Sequence, residues 1–165
     1  MERSSSSIKE GEWVMAVIKR IASKATPRKI VSYLTQEEKT EEKLIGGKDC
    51  DPDNVVNDFN MTQELYGKTG GVKYHHIIQS FSPEDNITPL AESQFKEFEV
   101  FVVTHKDKDH IHNHLVVNSV SFENGLKYNA SNKSLWDIKR ESNRLCEREN
   151  LKTLDLEHKA EKRIS

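Results

Sequence analysis

FEVFVVTHKDKDHIHNHLVVNSVSF, residues 98–122, is the stretch that decides the fold. Two runs rich in apolar and β-branched residues, 98–105 and 112–122, flank a short polar connector. Runs of that composition read as strands, and a connection this short makes them antiparallel neighbours. Four of the chain's seven histidines fall here, at positions 105, 110, 112 and 114. Alternate residues of a strand share a face, so His112 and His114 point the same way, about 7 Å apart along the backbone. A tight hairpin brings His105 back beside them. Three neutral imidazoles could then converge on a divalent cation and leave coordination positions open for substrate oxygens. Asp107 is near enough in sequence to orient one of the rings.

Outward from the hairpin, WVMAVIKRI (13–21) and VKYHHIIQSFS (72–82) read as further strands. In the second of these, Tyr74, His76, Ile78 and Ser80 share one face, and His75, Ile77, Gln79 and Phe81 share the other. Thr26 is a good N-cap and Pro27 fits the first helical position, so a short helix carrying Tyr33 should run to about residue 37. Asp53 can cap a second helix whose apolar side is Val55, Val56, Phe59 and Leu65. EEKLIGGKDCDPDN between these helices reads as turn material, and GKTGG lacks the spacing and context of a phosphate loop. EDNITPLAESQFKE holds one or two helical turns. ENG makes a turn before LKYNA, a last short strand. The final helix, about 132–149, carries Leu135, Ile138, Ser142 and Leu145 on one face. The order β-α-α-β-(α)-β-β-β-α is an α+β sheet with helices on one face.

The totals restrict the partners. The chain has 165 residues, enough for one domain with a real core. Its formal net charge of −2 gives no general support to nucleic-acid binding, so an anion-binding surface must be a local patch. Lys19, Arg20, Lys24, Arg28 and Lys29 cluster around the Tyr33 helix and suit phosphate contact; Lys133, Lys139, Arg140 and Arg144 lie on the last helix, where a solvated face is an equal reading. No apolar run approaches bilayer length and no signal peptide is evident, so a cytoplasmic location is expected, with Cys50 and Cys146 as reduced thiols. Residues 1–14 read as a disordered leader outside the natural start, which would be Met15; 15–150 read as one domain and 151–165 as a polar tail.

Three readings of the histidines remain at this point. One is the metal site. A second is a histidine-triad nucleotide hydrolase, whose His-apolar-His-apolar-His pattern HIHNHLVV approaches, although Asn113 breaks the alternation. The third is a solvated loop.

The ordered set of segments separates them. SYLTQEEKT, YHHIIQSFSPE, THKDKDHIHNHLVVNSVSFENGLKY and ESNRLCERENL resemble, in that order, the relaxase/mobilisation nuclease family, the DNA-nicking enzymes of conjugative and mobilisable bacterial elements, in a Firmicutes-like form. The resemblance covers about residues 15–155. Its His-x-Asp…His-x-His…Asn motif is specific; its tyrosine motif is weak alone. The resemblance implies a His-hydrophobic-His endonuclease fold, a central antiparallel sheet of about five strands with flanking helices, and the two-histidine strand near the middle. It maps the nucleophile to Tyr33, the Mg²⁺ or Mn²⁺ ligands to His105, His112 and His114, and a DNA-contacting serine to Ser80; His110 falls outside the pattern. Asp107 would hold a ligating histidine, and His76 or Asp107 would serve as base. Lys24, Arg28 and Lys29 would contact phosphate.

The implied reaction nicks and rejoins single-stranded DNA at a transfer origin through a 5′-phosphotyrosine. Accessory relaxosome proteins and a coupling protein are the implied partners, and membrane insertion is not expected. A copy that binds DNA without cutting it is the further alternative. Relatives usually have a longer helix before the FEVFVVTH strand and continue into further regions, so a stunted helix and a fragment or degenerate copy are expected here.

Overall fold

The computed structural model describes residues 17–36, 42–80, 87–107 and 110–161. The expected leader, residues 1–14, and Met15 lie outside these. β1 (Val17–Ser23) is followed by α1 (Arg28–Leu34), β2 (Glu42–Lys48) and a 3-10 turn at Pro52–Asn54. Then come α2 (Val55–Leu65), β3 (Tyr74–Ser80), α3 (Ile87–Gln94), β4 (Val100–Asp107), β5 (His110–Asn118) and α4 (Asn132–Glu161). The strands form one five-stranded sheet in the order β1-β3-β5-β4-β2, antiparallel throughout. The expected hairpin is β4–β5, and β5 sits at the sheet's centre.

Strand alternation divides the core in two. Ile77 of β3, Val100 of β4 and Leu115 and Val117 of β5 face α3 and α4, where Leu90, Ala91, Ile138 and Leu145 meet them. Tyr74, Phe101, Val103 and Val116 point to the opposite face and pack against Leu34 of α1 and Val55 and Phe59 of α2. Helices therefore cover both faces, not one. Two turns of α3 suffice on their side because α4 shares the cover, through the expected stripe of Ile138, Ser142 and Leu145. Ser131 and Ser134 start α4 with reciprocal bonds: Ser134 N–H donates to Ser131 Oγ at 3.1 Å, and Ser131 N–H to Ser134 Oγ at 2.9 Å. The helix runs on past residue 149 to Glu161, through most of the segment read as a tail.

The fifth strand is not the expected one. LKYNA contributes only the isolated bridge Val120–Lys127, whereas KLIGGK, read as turn, is the edge strand β2. Leu44 and Ile45 on it are exposed, so it shows no apolar alternation. Gly47 is there because a Cβ would collide with the Cys50 carbonyl where the chain turns back, with Asp49 at φ 60°. At the 3-10 turn that leads into α2, Asp51 rather than Asp53 is the cap, its carboxylate accepting from Asp53 N–H at 3.0 Å. Leu65, expected on the apolar side of α2, is exposed. Cys50 and Cys146 form no disulfide. Burial, and then the carboxylates of Glu99 and Asp58, push the Cys50 thiol up to about 12, so it is inert.

His75 sits in the α3/α4-side core, edge-on to Tyr128 at 4.9 Å, with a buried Nδ1 that has no hydrogen-bond partner. Burial, then the charges of Arg20 and Lys127, lower it to about 4. The fold thus favours the neutral ring, and an unfolded chain takes up the proton first as pH falls below the ordinary histidine value. Stability that is complete above that value is lost as pH drops toward 4. His75→Phe should flatten the decline by up to one proton, about 1.4 kcal/mol per pH unit. Urea midpoints across that pH range check this; an unchanged slope would show that His75 does not drive it.

Candidate active site

The α1/α2 side of the sheet carries the histidines. Register places His105 opposite His112, and Ser80 on the other side of His112. His114 stands between Ile78 and Val103 across the two flanking strands. The His105 and His114 rings lie 4.8 Å apart, and the His76 and His114 rings stack at 5.2 Å. Four imidazoles, from β3, β4 and β5, therefore occupy one patch. His110 opens β5 opposite Asp107, at the far end of the hairpin. The side chains of His110 and Asp107 are outside the described residues.

Each ring has one nitrogen engaged. His105 Nε2 lies 3.0 Å from the Leu34 carbonyl oxygen, which can only accept, so Nε2 carries the proton. His112 Nδ1 faces Ser80 Oγ at 3.3 Å, and His114 Nδ1 faces His76 Nε2 at 3.0 Å. Burial, then the neighbouring His76, His105 and His112, push His114 down to about 3, and burial alone takes His76 to about 4. Both are neutral at neutral pH.

Among the described residues no three His, Cys, Asp or Glu side chains close, as they stand, around a point a metal would fill. The donor chemistry nonetheless suits one. His105, His112 and His114 share a face; His112 and His114 turn Nδ1 toward Ser80 and His76, so Nε2 is the nitrogen each could offer a metal. Second nitrogens held by hydrogen bonds are what metal-ligating imidazoles require. For His105, coordination through Nδ1 keeps the bond to Leu34 and coordination through Nε2 exchanges it.

That bond to Leu34 also sets the tyrosine. At seven residues, α1 is too short to stand alone. Leu34, fully buried under the sheet, contributes about 2 kcal/mol of apolar burial, and its carbonyl ties the helix end to the cluster. Tyr33, the preceding residue, is 49% exposed. It borders an open hollow of about 490 Å³ with Lys29, Ile30, Ser32, Gln36 and Tyr74.

Lys24, Arg28 and Lys29 are exposed at or just before this helix. Arg20, grouped with them in sequence, faces the other way and is bound to Tyr128 Oη at 3.2 Å and Ser134 Oγ at 2.9 Å. On α4, Lys133 and Arg140 pair with Asp137, and Arg144 pairs with Glu141, so three of the four cations named there are neutralised along the helix. Sequence reasoning did not find the Leu34 carbonyl, because a backbone acceptor leaves no residue-type signal. The pairings of His76 with His114 and Ser80 with His112 were implicit in the alternation of YHHIIQS, once its partner strand was known.

A central strand offering alternate histidines, in an antiparallel sheet flanked by helices, is the arrangement expected of a relaxase-type nuclease fold, with Asn113 in place of an apolar residue between His112 and His114. Residues 33–151 match the family model described as "Relaxase: MobA/VirD2-like, nuclease domain". The chain belongs to this relaxase family. A protein rlx of Staphylococcus aureus is 40% identical over 146 residues, 83% of this chain and 42% of the relative. The group II intron-interrupted relaxase LtrB of Lactococcus lactis subsp. cremoris is 35% identical over 95 residues, 52% of this chain and 17% of the relative. The chain thus spans less than half the length of these relatives. A solved structure described as "Molecular Basis of Vancomycin Resistance Transfer in Staphylococcus aureus" superposes with a TM-score of 0.50 at 13% identity, over 78% of this chain and 89% of that one, a likeness of fold. The histidine-triad reading gives way to this membership. No helix among the described residues is long and apolar enough to cross a membrane.

Proposed function

We propose that this chain is the nicking module of a conjugative relaxase, acting on single-stranded DNA at a transfer origin. The observation that carries the reading is the bond from His105 to Leu34, which fastens the helix of an exposed tyrosine to a four-imidazole cluster. Tyr33 attacks a phosphodiester phosphorus; the P–O3′ bond breaks, the 3′-hydroxyl leaves, and the 5′-phosphate stays on the phenolic oxygen. Attack of that hydroxyl on the phosphotyrosine reverses the step, so the energy of the broken bond is kept.

His105, His112 and His114 would hold Mg²⁺ or Mn²⁺, which when bound supplies charge for the non-bridging oxygens. Lys24, Arg28 and Lys29, exposed around α1, lead the DNA backbone to Tyr33. A phenol is a weak nucleophile until its proton is drawn off. Asp107 is the candidate base or ring-orienting carboxylate. His76 is buried behind His114, and its geometry favours orienting that ring over meeting substrate. Ser80, within reach of His112 Nδ1, would steady that ring and contact DNA beside the nick. Accessory and coupling proteins would engage the whole relaxase, in the bacterial cytoplasm.

The test uses end-labelled single-stranded oligonucleotides tiled across the element that carries the gene. Incubated with protein and Mn²⁺ and then denatured, one sequence should yield a covalent adduct, and chelator should abolish it. An adduct indifferent to chelator removes the metal from the reading. Binding without adduct identifies a DNA-binding remnant.

A further inference from the structure

Directly behind the histidines, a chain of buried polar groups crosses the sheet. Ser142 of α4, Gln79 of β3 and Asn113 of β5 are each 0% exposed, and Thr104 of β4 is 3% exposed. Thr104 Oγ1 donates to Asn113 Oδ1 at 2.7 Å. Asn113 Nδ2 donates to Gln79 Oε1 at 2.7 Å, and Gln79 Nε2 donates to Ser142 Oγ at 2.8 Å. The donors run in one sense from Thr104 to Ser142, so each bond polarises the next.

The three strand residues are directly opposite one another in register, Gln79 to Asn113 and Asn113 to Thr104. Each is also the chain neighbour of a residue in the site on the other face. Thr104 precedes His105, Gln79 precedes Ser80, and Asn113 lies between His112 and His114.

Such a ladder is a poor means of gaining stability, since apolar residues of like size would fill the space without desolvating amides. What it specifies is alignment. A slip of β5 by one residue would turn its histidines into the core and Asn113 out of it, and would leave the Gln79 and Thr104 side chains unpaired. Ser142 extends the same alignment to α4. None of the four faces the site, so they act through the residues beside them.

We propose that Thr104, Asn113, Gln79 and Ser142 form a positioning network that holds His105, His112, His114 and Ser80 in one mutual arrangement. Its consequence for metal binding rests on the function proposed above. The network itself does not.

The test replaces all four at once, T104V/Q79M/N113L/S142A, so that no polar partner is left stranded. This variant should melt within about 5 °C of the wild type or above it. Two readouts follow. Imidazole ¹⁵N spectra should show a single tautomer for His105 in the wild type, protonated at Nε2, and averaged ring signals for His105, His112 and His114 in the variant. Mn²⁺ affinity by calorimetry should fall by about 10- to 100-fold. Unchanged ring signals, or averaged rings with Mn²⁺ affinity intact, overturn the proposal. If the wild type binds no Mn²⁺, the metal reading falls by itself and the ring spectra alone decide. If the fourfold variant does not fold, T104V and T104S are compared: loss of the hydroxyl should disturb the rings and its retention in T104S should restore them, whereas equal spectra overturn the proposal.

Discussion

Tyr33→Phe abolishes the covalent protein–DNA adduct and leaves the fold unchanged: this is the expected result with the largest effect. The chain has four tyrosines, at positions 33, 66, 74 and 128, and the structure separates them. Tyr74 is buried in the core under α1 and α2. The Tyr66 hydroxyl donates to the Phe122 carbonyl at 3.0 Å, and Tyr128 receives Arg20 and packs among Phe95 and Phe98. Tyr33 alone combines exposure with a helix fastened to the imidazoles. Removing its hydroxyl removes the proposed attacking atom, and loss of a nucleophile costs on the order of 10⁴- to 10⁶-fold in rate. Removing an oxygen from a half-exposed ring should alter stability by no more than about 0.5 kcal/mol. Gel assays of the adduct, with thermal melts of both proteins, check both halves. An adduct surviving in Tyr33→Phe would assign the attack to another residue and break the link between α1 and the chemistry.

The parts of the fold legible in the sequence are those where burial is one-sided or complete. VKYHHIIQSFS, FEVFVVTH and HNHLVVNSVSF announce central strands because apolar side chains must fill both core layers. The stripe of Ile138, Ser142 and Leu145 announces α4 because one side of a long helix is covered. The edge strand β2 was illegible because exposed Leu44 and Ile45 and two glycines carry no period, and its position comes from backbone pairing to β4. The two-sided helix cover was also hidden, since a sequence period shows that a helix has an apolar face but not which side of the sheet receives it.

The site divides in the same way. Alternation placed His112 beside His114, and the hairpin brought back His105. The Leu34 carbonyl and the direction in which Arg20 turns depend on three-dimensional neighbours that no local pattern encodes. Ser142 shows the limit well: it lies on an apolar stripe, yet its hydroxyl ends a hydrogen-bond chain that begins two strands away.

The second large effect concerns the four histidines of the opening stretch. His112→Ala should weaken Mn²⁺ binding by more than about 100-fold, above the usual loss for an orienting partner. His110→Ala should weaken it by less than about threefold, because orienting partners already mark the lower bound of ligand effects and His110 is assigned neither role. The register carries the distinction. His112 is paired directly with His105 and lies one alternate step from His114, whose ring stands 4.8 Å from that of His105. His110 is a further alternate step away, about 7 Å along the strand, opposite Asp107 where the hairpin closes. A cation held between His105 and His114 is therefore within the span of His112 and a strand step beyond His110. Calorimetric titration of each variant with Mn²⁺ decides it. Comparable losses in the two would mean that the metal sits nearer the hairpin end, with His110 and Asp107 in the coordination sphere. That outcome would also move the site away from the Leu34 carbonyl and hence from Tyr33, so the same titration tests whether nucleophile and cation belong to one centre.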